Sequence, residues 1–324
     1  MFVTGRRIID WIEGLHARCR GRGWLLVWLV AVFACTFIDS SSCSAQTSKQ
    51  AAVESKDAAE LDGQTASRAA EIQRGSKTAK AGFENEDQIR EKLNAWRSDQ
   101  AAQAWLSALG YDNQELVSVQ VHKPHGQKAD LMLNIDSKKR GACQEGISIK
   151  LVSNPNGFNQ IDKRWLHDYA QTWQMPDDVH AALKRFVGEL RPEQVGRDAR
   201  RTFLDEMPKE TQQAILQFFS TNRQRIINYL FEGSGDYSAD WLMVTIKPPR
   251  GEAAQKKLPN FQWIIVPTAK AAEFYGQGEV VISREGSLKI GRITMQRKGG
   301  DNGRHSANML QFKINPVEIF EMDR

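Results

Sequence analysis

Lys128-Ala129-Asp130-Leu131-Met132-Leu133, and the later stretch Gly146-Ile147-Ser148-Ile149-Lys150-Leu151-Val152, decide how this chain is read. Both are short, aliphatic and free of proline, as strands are. Side chains alternate across a strand, so Ser148 and Lys150 share one face while Ile147, Ile149 and Leu151 fill the other. A carboxylate on one strand beside a strand carrying a polar residue and a lysine two apart is the arrangement of metal-dependent nucleases. Asp130 would hold a hard divalent cation, which polarises a phosphate and offsets its growing charge. Lys150 would orient the attacking water or neutralise charge in the transition state. Spacing of this kind is common, however, and a lysine on an amphipathic strand is ordinarily part of a solvated face.

Working outward, Phe83, Ile89, Leu93 and Trp96 recur at helical spacing, and a second helix with Trp105, Leu106 and Leu109 stops at Gly110. Strands are expected over 116–121, 129–135 and 146–152. The region 160–231 reads as mostly helical, broken at Pro176, Pro192 and Pro208, and strands return over 241–246, 261–266, 280–282, 288–295 and 309–314. Helix, strands, helices and strands again describe a mixed α/β or α+β domain.

The chain has 324 residues, 41% hydrophobic, with a formal net charge of +5. That suffices for a packed core and suits a polyanionic partner, although so small an excess is weak evidence on its own. Of Cys19, Cys35, Cys43 and Cys143, only the last lies in the globular part, so no disulfide framework or CxxC metal site can be built there. His122, His125, His167, His180 and His305 lack metal-ligand spacing.

Residues 1–45 hold Arg6, Arg7, Arg18, Arg20 and Arg22, an apolar run over 24–38, and Cys43-Ser44-Ala45. This has the form of a secretory signal, and the run falls short of the roughly 20 apolar residues of a comfortable membrane span. The favoured reading is a start placed too far upstream. Residues 46–73 contain almost no large apolar side chains and read as a flexible linker, leaving 74–324 as the folded domain.

Longer strings sharpen the picture. Gly75-Ser76-Lys77-Thr78-Ala79-Lys80 leads to Gly82-Phe83, Asn85 and Glu86. Lys150-Leu151-Val152-Ser153-Asn154 leads to Gly157-Phe158-Asn159-Gln160-Ile161-Asp162-Lys163 and Trp165-Leu166. Gln296-Arg297-Lys298-Gly299-Gly300-Asp301-Asn302-Gly303-Arg304 precedes Ala307-Asn308-Met309-Leu310-Gln311-Phe312-Lys313. In this order, from about Arg74 onward, they resemble the HinP-type type II restriction endonucleases, which cut the palindrome GCGC.

The resemblance implies the PD-(D/E)XK nuclease fold, a central mixed sheet flanked by helices, with Asp130 and Lys150 as catalytic acid and lysine. It implies Mg²⁺, with Mn²⁺ as the alternative, held by Asp130, the residue at 148 and the backbone carbonyl of Ile149. Where the family usually has glutamine, this chain has Ser148, whose hydroxyl reaches less far. The alternative reading is therefore a DNA-binding relative with weakened or lost catalysis. Glu86 on the first helix is a further catalytic candidate, equally readable as a solvated carboxylate. DNA contact is expected from Phe158, Asn159, Gln160 and Lys163, read as a loop entering a helix, with Phe158 as a wedge between base steps. Gln296, Arg297, Lys298, Asp301, Asn302 and Arg304 form the second expected contact. There Arg and Lys can pair with guanine and Asp with cytosine. Arg197, Arg200 and Arg201 read as a solvated basic run with phosphate contact as the alternative. Expected partners are double-stranded DNA, a cognate DNA methyltransferase and a second copy of the chain. No membrane partner is expected, and the setting is cytoplasmic.

Overall fold

The structure is a computed structural model describing residues 79–194, 196–246, 263–300 and 304–322. All of these fall in one compact unit, Gly75–Arg324. The signal-like segment, the linker, residues 75–78, Asp301 and Asn302 lie outside the described residues.

Helix α1 covers 79–94 and α2 is Gln100–Ala108. Strands β1 (Leu116–His122), β2 (Leu131–Ser137) and β3 (Gly141–Val152) follow as an antiparallel meander. Next come β4 (Asn159–Arg164), α3 (Leu166–Trp173), α4 (Asp177–Val187), α5 (Lys209–Thr221) and α6 (Arg223–Glu232). The chain continues through β5 (Trp241–Ile246), β6 (Trp263–Pro267), α7 (Thr268–Gly276), β7 (Val280–Ile282), β8 (Leu288–Ile290), β9 (Ile293–Arg297) and β10 (Leu310–Ile314).

The strands sort into two sheets. The first, ordered β1-β2-β3-β5-β6, is mixed, because β3 and β5 run parallel while its other neighbours are antiparallel. The second, β4-β10-β9-β8-β7, is antiparallel throughout. Alternation along β5 shows why the mixed sheet is covered on both faces. Met243 packs with Ile147 and Ile149 against Leu93, Trp105 and Leu106 of α1 and α2, while Leu242, Val244 and Ile246 join the larger core beneath α3–α7. This is the mixed sheet flanked by helices that the sequence implied.

Helix ends follow local chemistry. Asp99 accepts from Ala102 N at 3.0 Å, which starts α2, and Ala102, Trp105 and Leu106 are its buried stripe. In α4, Asp177 and Asp178 stand in the first turn and Lys184 and Arg185 in the last, each sign matching the helix dipole.

Two expectations are corrected. The helix expected from Gln160 is instead strand β4, because the partner that makes it a strand is β10, far along the chain. The run expected over 288–295 is the hairpin β8–β9, turned at Gly291, whose φ of 58° only glycine adopts readily. Among the described residues, no helix is long and apolar enough to cross a membrane.

A half-buried staple joins the loop after α2 to β3 and β5. Tyr111 Oη donates to Glu145 Oε1 at 2.7 Å and Trp241 Nε1 donates to Glu145 Oε2 at 2.9 Å. Burial and the Glu145 charge push the Tyr111 phenol well above its usual range, so it remains a donor at any working pH. Glu145→Ala is expected to cost about 2 kcal/mol, since two half-buried donors lose a charged acceptor. Urea denaturation checks this, and an unchanged midpoint would show that the staple contributes nothing.

Candidate active site

Asp130 stands immediately before β2, where the β2–β3 ladder ends at Leu131↔Ile147. Its backbone N–H donates to Ile147 O at 2.8 Å, which fixes the residue against β3. Beyond that point β2 supplies no partner to β3, and the Asp130 side chain takes over. Its Oδ2 accepts from Ile149 N at 2.6 Å and from Ser148 Oγ at 3.3 Å. Lys150 Nζ lies 3.6 Å from the same oxygen and donates to Ser148 Oγ at 3.1 Å and Ile149 O at 3.0 Å. The three residues singled out from spacing, and the carbonyl of Ile149, thus meet at one point. Ser148 is only 4% exposed, and its hydroxyl is occupied on both sides, as donor to Asp130 and acceptor from Lys150.

Glu86 faces inward from α1. Burial raises its pKa, opposed by a hydrogen bond from Lys123, and the Asp130 and Lys150 charges also act on it. Lys123 Nζ sits 2.8 Å from Glu86 Oε2 and 3.5 Å from Asp87 Oδ1, with the exposed ring of Phe83 centred 5.1 Å away. Lys123 was not singled out by the sequence; it follows β1 with no motif around it.

A cleft of about 120 Å³ opens beside these groups, lined by Ala81, Gly82, Ile149, Lys150, Leu151, Ser153 and Asn159. It brings Ile149 and Lys150 together with the first residue of β4, Asn159. Asn159 Nδ2 donates to Leu151 O at 3.0 Å, Phe158 is exposed in the preceding turn, Gln160 is exposed and Lys163 is half-buried, all on or before a strand rather than a helix.

The second expected contact is differently placed. Gln296 and Arg297 end β9, where Gln296 pairs with Gln311 and Arg297 with Leu310. Arg297 is largely committed within the protein. Its Nε donates to Val187 O at 2.8 Å, closing the C-terminus of α4, and its Nη2 donates to Asn308 Oδ1 at 2.7 Å. Lys298 is half-buried and Arg304 is exposed. In the basic run, Arg197 pairs with Asp205 and Glu206, while Arg200 and Arg201 pair with Asp198. Arg201 also lies over the Phe203 ring at 3.9 Å.

Among the described residues, no cluster of three or more His, Cys, Asp or Glu side chains is poised to hold a metal. The donors that do converge are oxygens: the Asp130 carboxylate, the Ser148 hydroxyl and the Ile149 carbonyl, with the Glu86 carboxylate acting electrostatically on them. A sparse set of hard oxygen donors suits Mg²⁺, which keeps several of its waters.

A family model for the R.HinP1I restriction endonuclease matches residues 109–320. No curated protein matches the chain. Among solved structures, the fold is similar to that of the restriction endonuclease MspI, crystallised in complex with its cognate DNA. The TM-score is 0.50 at 13% identity, over 75% of this chain and 92% of that one.

Proposed function

The chain belongs to the R.HinP1I restriction endonuclease family, and from that premise we propose that it hydrolyses double-stranded DNA at a short GC palindrome, GCGC, in a metal-dependent reaction. The observation that carries this reading is the meeting of Asp130, Ser148, Ile149 O and Lys150 at one point beside a cleft. That arrangement is the one PD-(D/E)XK nucleases use. The MspI structure contains cognate DNA, which supports reading the corresponding face here as the DNA face.

Asp130, the Ile149 carbonyl and the Ser148 hydroxyl would hold Mg²⁺, aided by Glu86. The ion, when bound, polarises the scissile phosphate and lowers the pKa of a coordinated water. The remaining work falls to the chain itself. Lys150 has an ammonium with three donors and can turn from Ser148 and Ile149 O toward a phosphate oxygen, where it neutralises developing charge. Water attacks phosphorus, the bond to the 3′ oxygen breaks, and the products are a 5′-phosphate and a 3′-hydroxyl. Ser148 also holds Asp130 and Lys150 at their spacing, through the hydrogen bonds on either side of its hydroxyl. Phe158, Asn159, Gln160 and Lys163, together with Gln296, Lys298, Asp301, Asn302 and Arg304, are the proposed DNA contacts. A palindromic target suits a homodimer. A cognate methyltransferase and a cytoplasmic setting complete the restriction role.

The test is cleavage of a plasmid bearing defined GCGC sites by a chain starting at Ala70, with Mg²⁺, Mn²⁺ or EDTA. The expected fragments map to those sites, require metal and vanish on a plasmid whose sites are removed. Cutting at unrelated positions would reject the GC palindrome. Tight binding without cutting in either metal would make the protein a DNA binder whose chemistry Ser148 has weakened.

A further inference from the structure

Strand β4 is not regular. Phe312 pairs with Asp162, yet the next residue, Lys313, pairs with Gln160, so Ile161 is passed over. This is a β-bulge, a device that turns the side chains on either side of it to new directions and leaves the extra residue out of register. The Ile161 carbonyl is taken instead by Lys128 Nζ at 2.7 Å.

The same amine donates to Leu230 O, in the last turn of α6, where helical carbonyls lack intrahelical donors. Access to that carbonyl depends on Gly233, just past the helix. A Cβ there would lie 2.6 Å from both Cβ and Cγ of Lys128, and its φ of 75° already favours glycine. Lys128 stands two residues before Asp130. Between them, Ala129 N donates to Tyr237 O at 3.0 Å and Asp130 N to Ile147 O at 2.8 Å. Lys128 is half-buried, and its amine, held by the Ile161 and Leu230 carbonyls, lies near the charges of Asp162 and Asp130. Burying an amine is costly, so an apolar side chain would serve packing alone at least as well.

Resting on the nuclease reading above, we propose that Lys128 is a positioning residue. Its amine ties the β4 bulge and the approach to Asp130 into one unit. The strand that carries Asn159 and Gln160 is thereby held at a set spacing from the catalytic acid.

The experiment compares wild type, Lys128→Met, Lys128→Arg and Gly233→Ala by hydrogen exchange and by cleavage kinetics. Lys128→Met keeps the stem and removes the donors. Amide exchange over 159–164 and 129–131 should rise at least about tenfold, with β7–β9 unaffected. The kcat for DNA should fall about 10²-fold, as expected when reacting groups shift by about 1 Å, with KM changed less than about threefold. Lys128→Arg should recover part of kcat. Gly233→Ala displaces the stem without removing the amine and should give the same exchange pattern, which carries the test if Lys128→Met does not fold. Exchange rising evenly through both sheets, or wild-type kcat in folded Lys128→Met, would overturn the proposal. A wild type that cuts no DNA would refute the nuclease reading, and the exchange pattern would still decide whether Lys128 couples β4 to Asp130.

Discussion

Asp130→Asn and Lys150→Met are each expected to lower the cleavage rate by at least about 10³-fold while leaving the fold intact. The choice of substitutions follows from the hydrogen bonds. Asp130 Oδ2 accepts from Ile149 N at 2.6 Å, so alanine would strand a backbone donor and confuse a structural loss with a chemical one. Asparagine keeps an oxygen for Ile149 N and removes only the charge. Lys150 is a donor to Ser148 Oγ and Ile149 O, both of which retain other surroundings when methionine replaces it. Lys150 and Asp130 are only 13% and 26% exposed, so either variant should also lose about 1–3 kcal/mol of stability. Plasmid cleavage beside thermal unfolding measures both. Near wild-type cleavage by folded Asp130→Asn would remove Asp130 from the chemistry altogether.

The second large effect is structural. Gly146→Ala should destabilise the protein by about 3 kcal/mol or more, near the upper end for overpacking. A Cβ at this position would lie 2.0 Å from Ser238 O and 3.3 Å from Ala129 Cβ. Backbone must move, and the moving segment is committed: Gly146 N donates to Asp240 Oδ2 and Asp240 N to Gly146 O, both at 2.8 Å. These bonds open the parallel β3–β5 pairing, which begins at Ile147↔Trp241, one residue before Ser148. Gly82→Ala is the control. A Cβ there meets nothing within 4 Å, and in the body of α1 alanine should stabilise by about 0.5–1 kcal/mol. Equal midpoints for the two variants in chemical denaturation would contradict the close approach at Gly146.

The legible parts of this fold are those whose signal is local. Asp130, Ser148 and Lys150 could be placed because β2 and β3 adjoin in sequence and alternate clearly, so their polar face is readable. β4 could not. Its residues Asn159-Gln160-Ile161-Asp162-Lys163-Arg164 show one aliphatic side chain among polar ones, and that residue is the bulge. What makes it a strand is β10, which no window around Gln160 contains. The internal partners of Arg297 were hidden for a related reason. A basic residue in a glycine-rich stretch reads as a nucleic-acid contact, yet the carbonyl it closes belongs to α4, more than a hundred residues earlier. Lys128 carries no local signal, because its two acceptors lie in β4 and α6 and the glycine that admits it just past α6.

The place of β10 also bears on how the molecule is made. β10 lies between β4 and β9 in the second sheet, so β4 has no neighbour there until residues 310–314 exist. On the ribosome, the catalytic meander can pair early, while the strand bearing Asn159 and Gln160 must wait for nearly all of the following chain. Such high contact order makes assembly of that sheet slow and leaves an exposed strand during synthesis. A truncated product lacking β10 would carry Asp130 and Lys150 without a paired β4, the strand proposed to face DNA, so cutting competence would arrive late in the life of each chain.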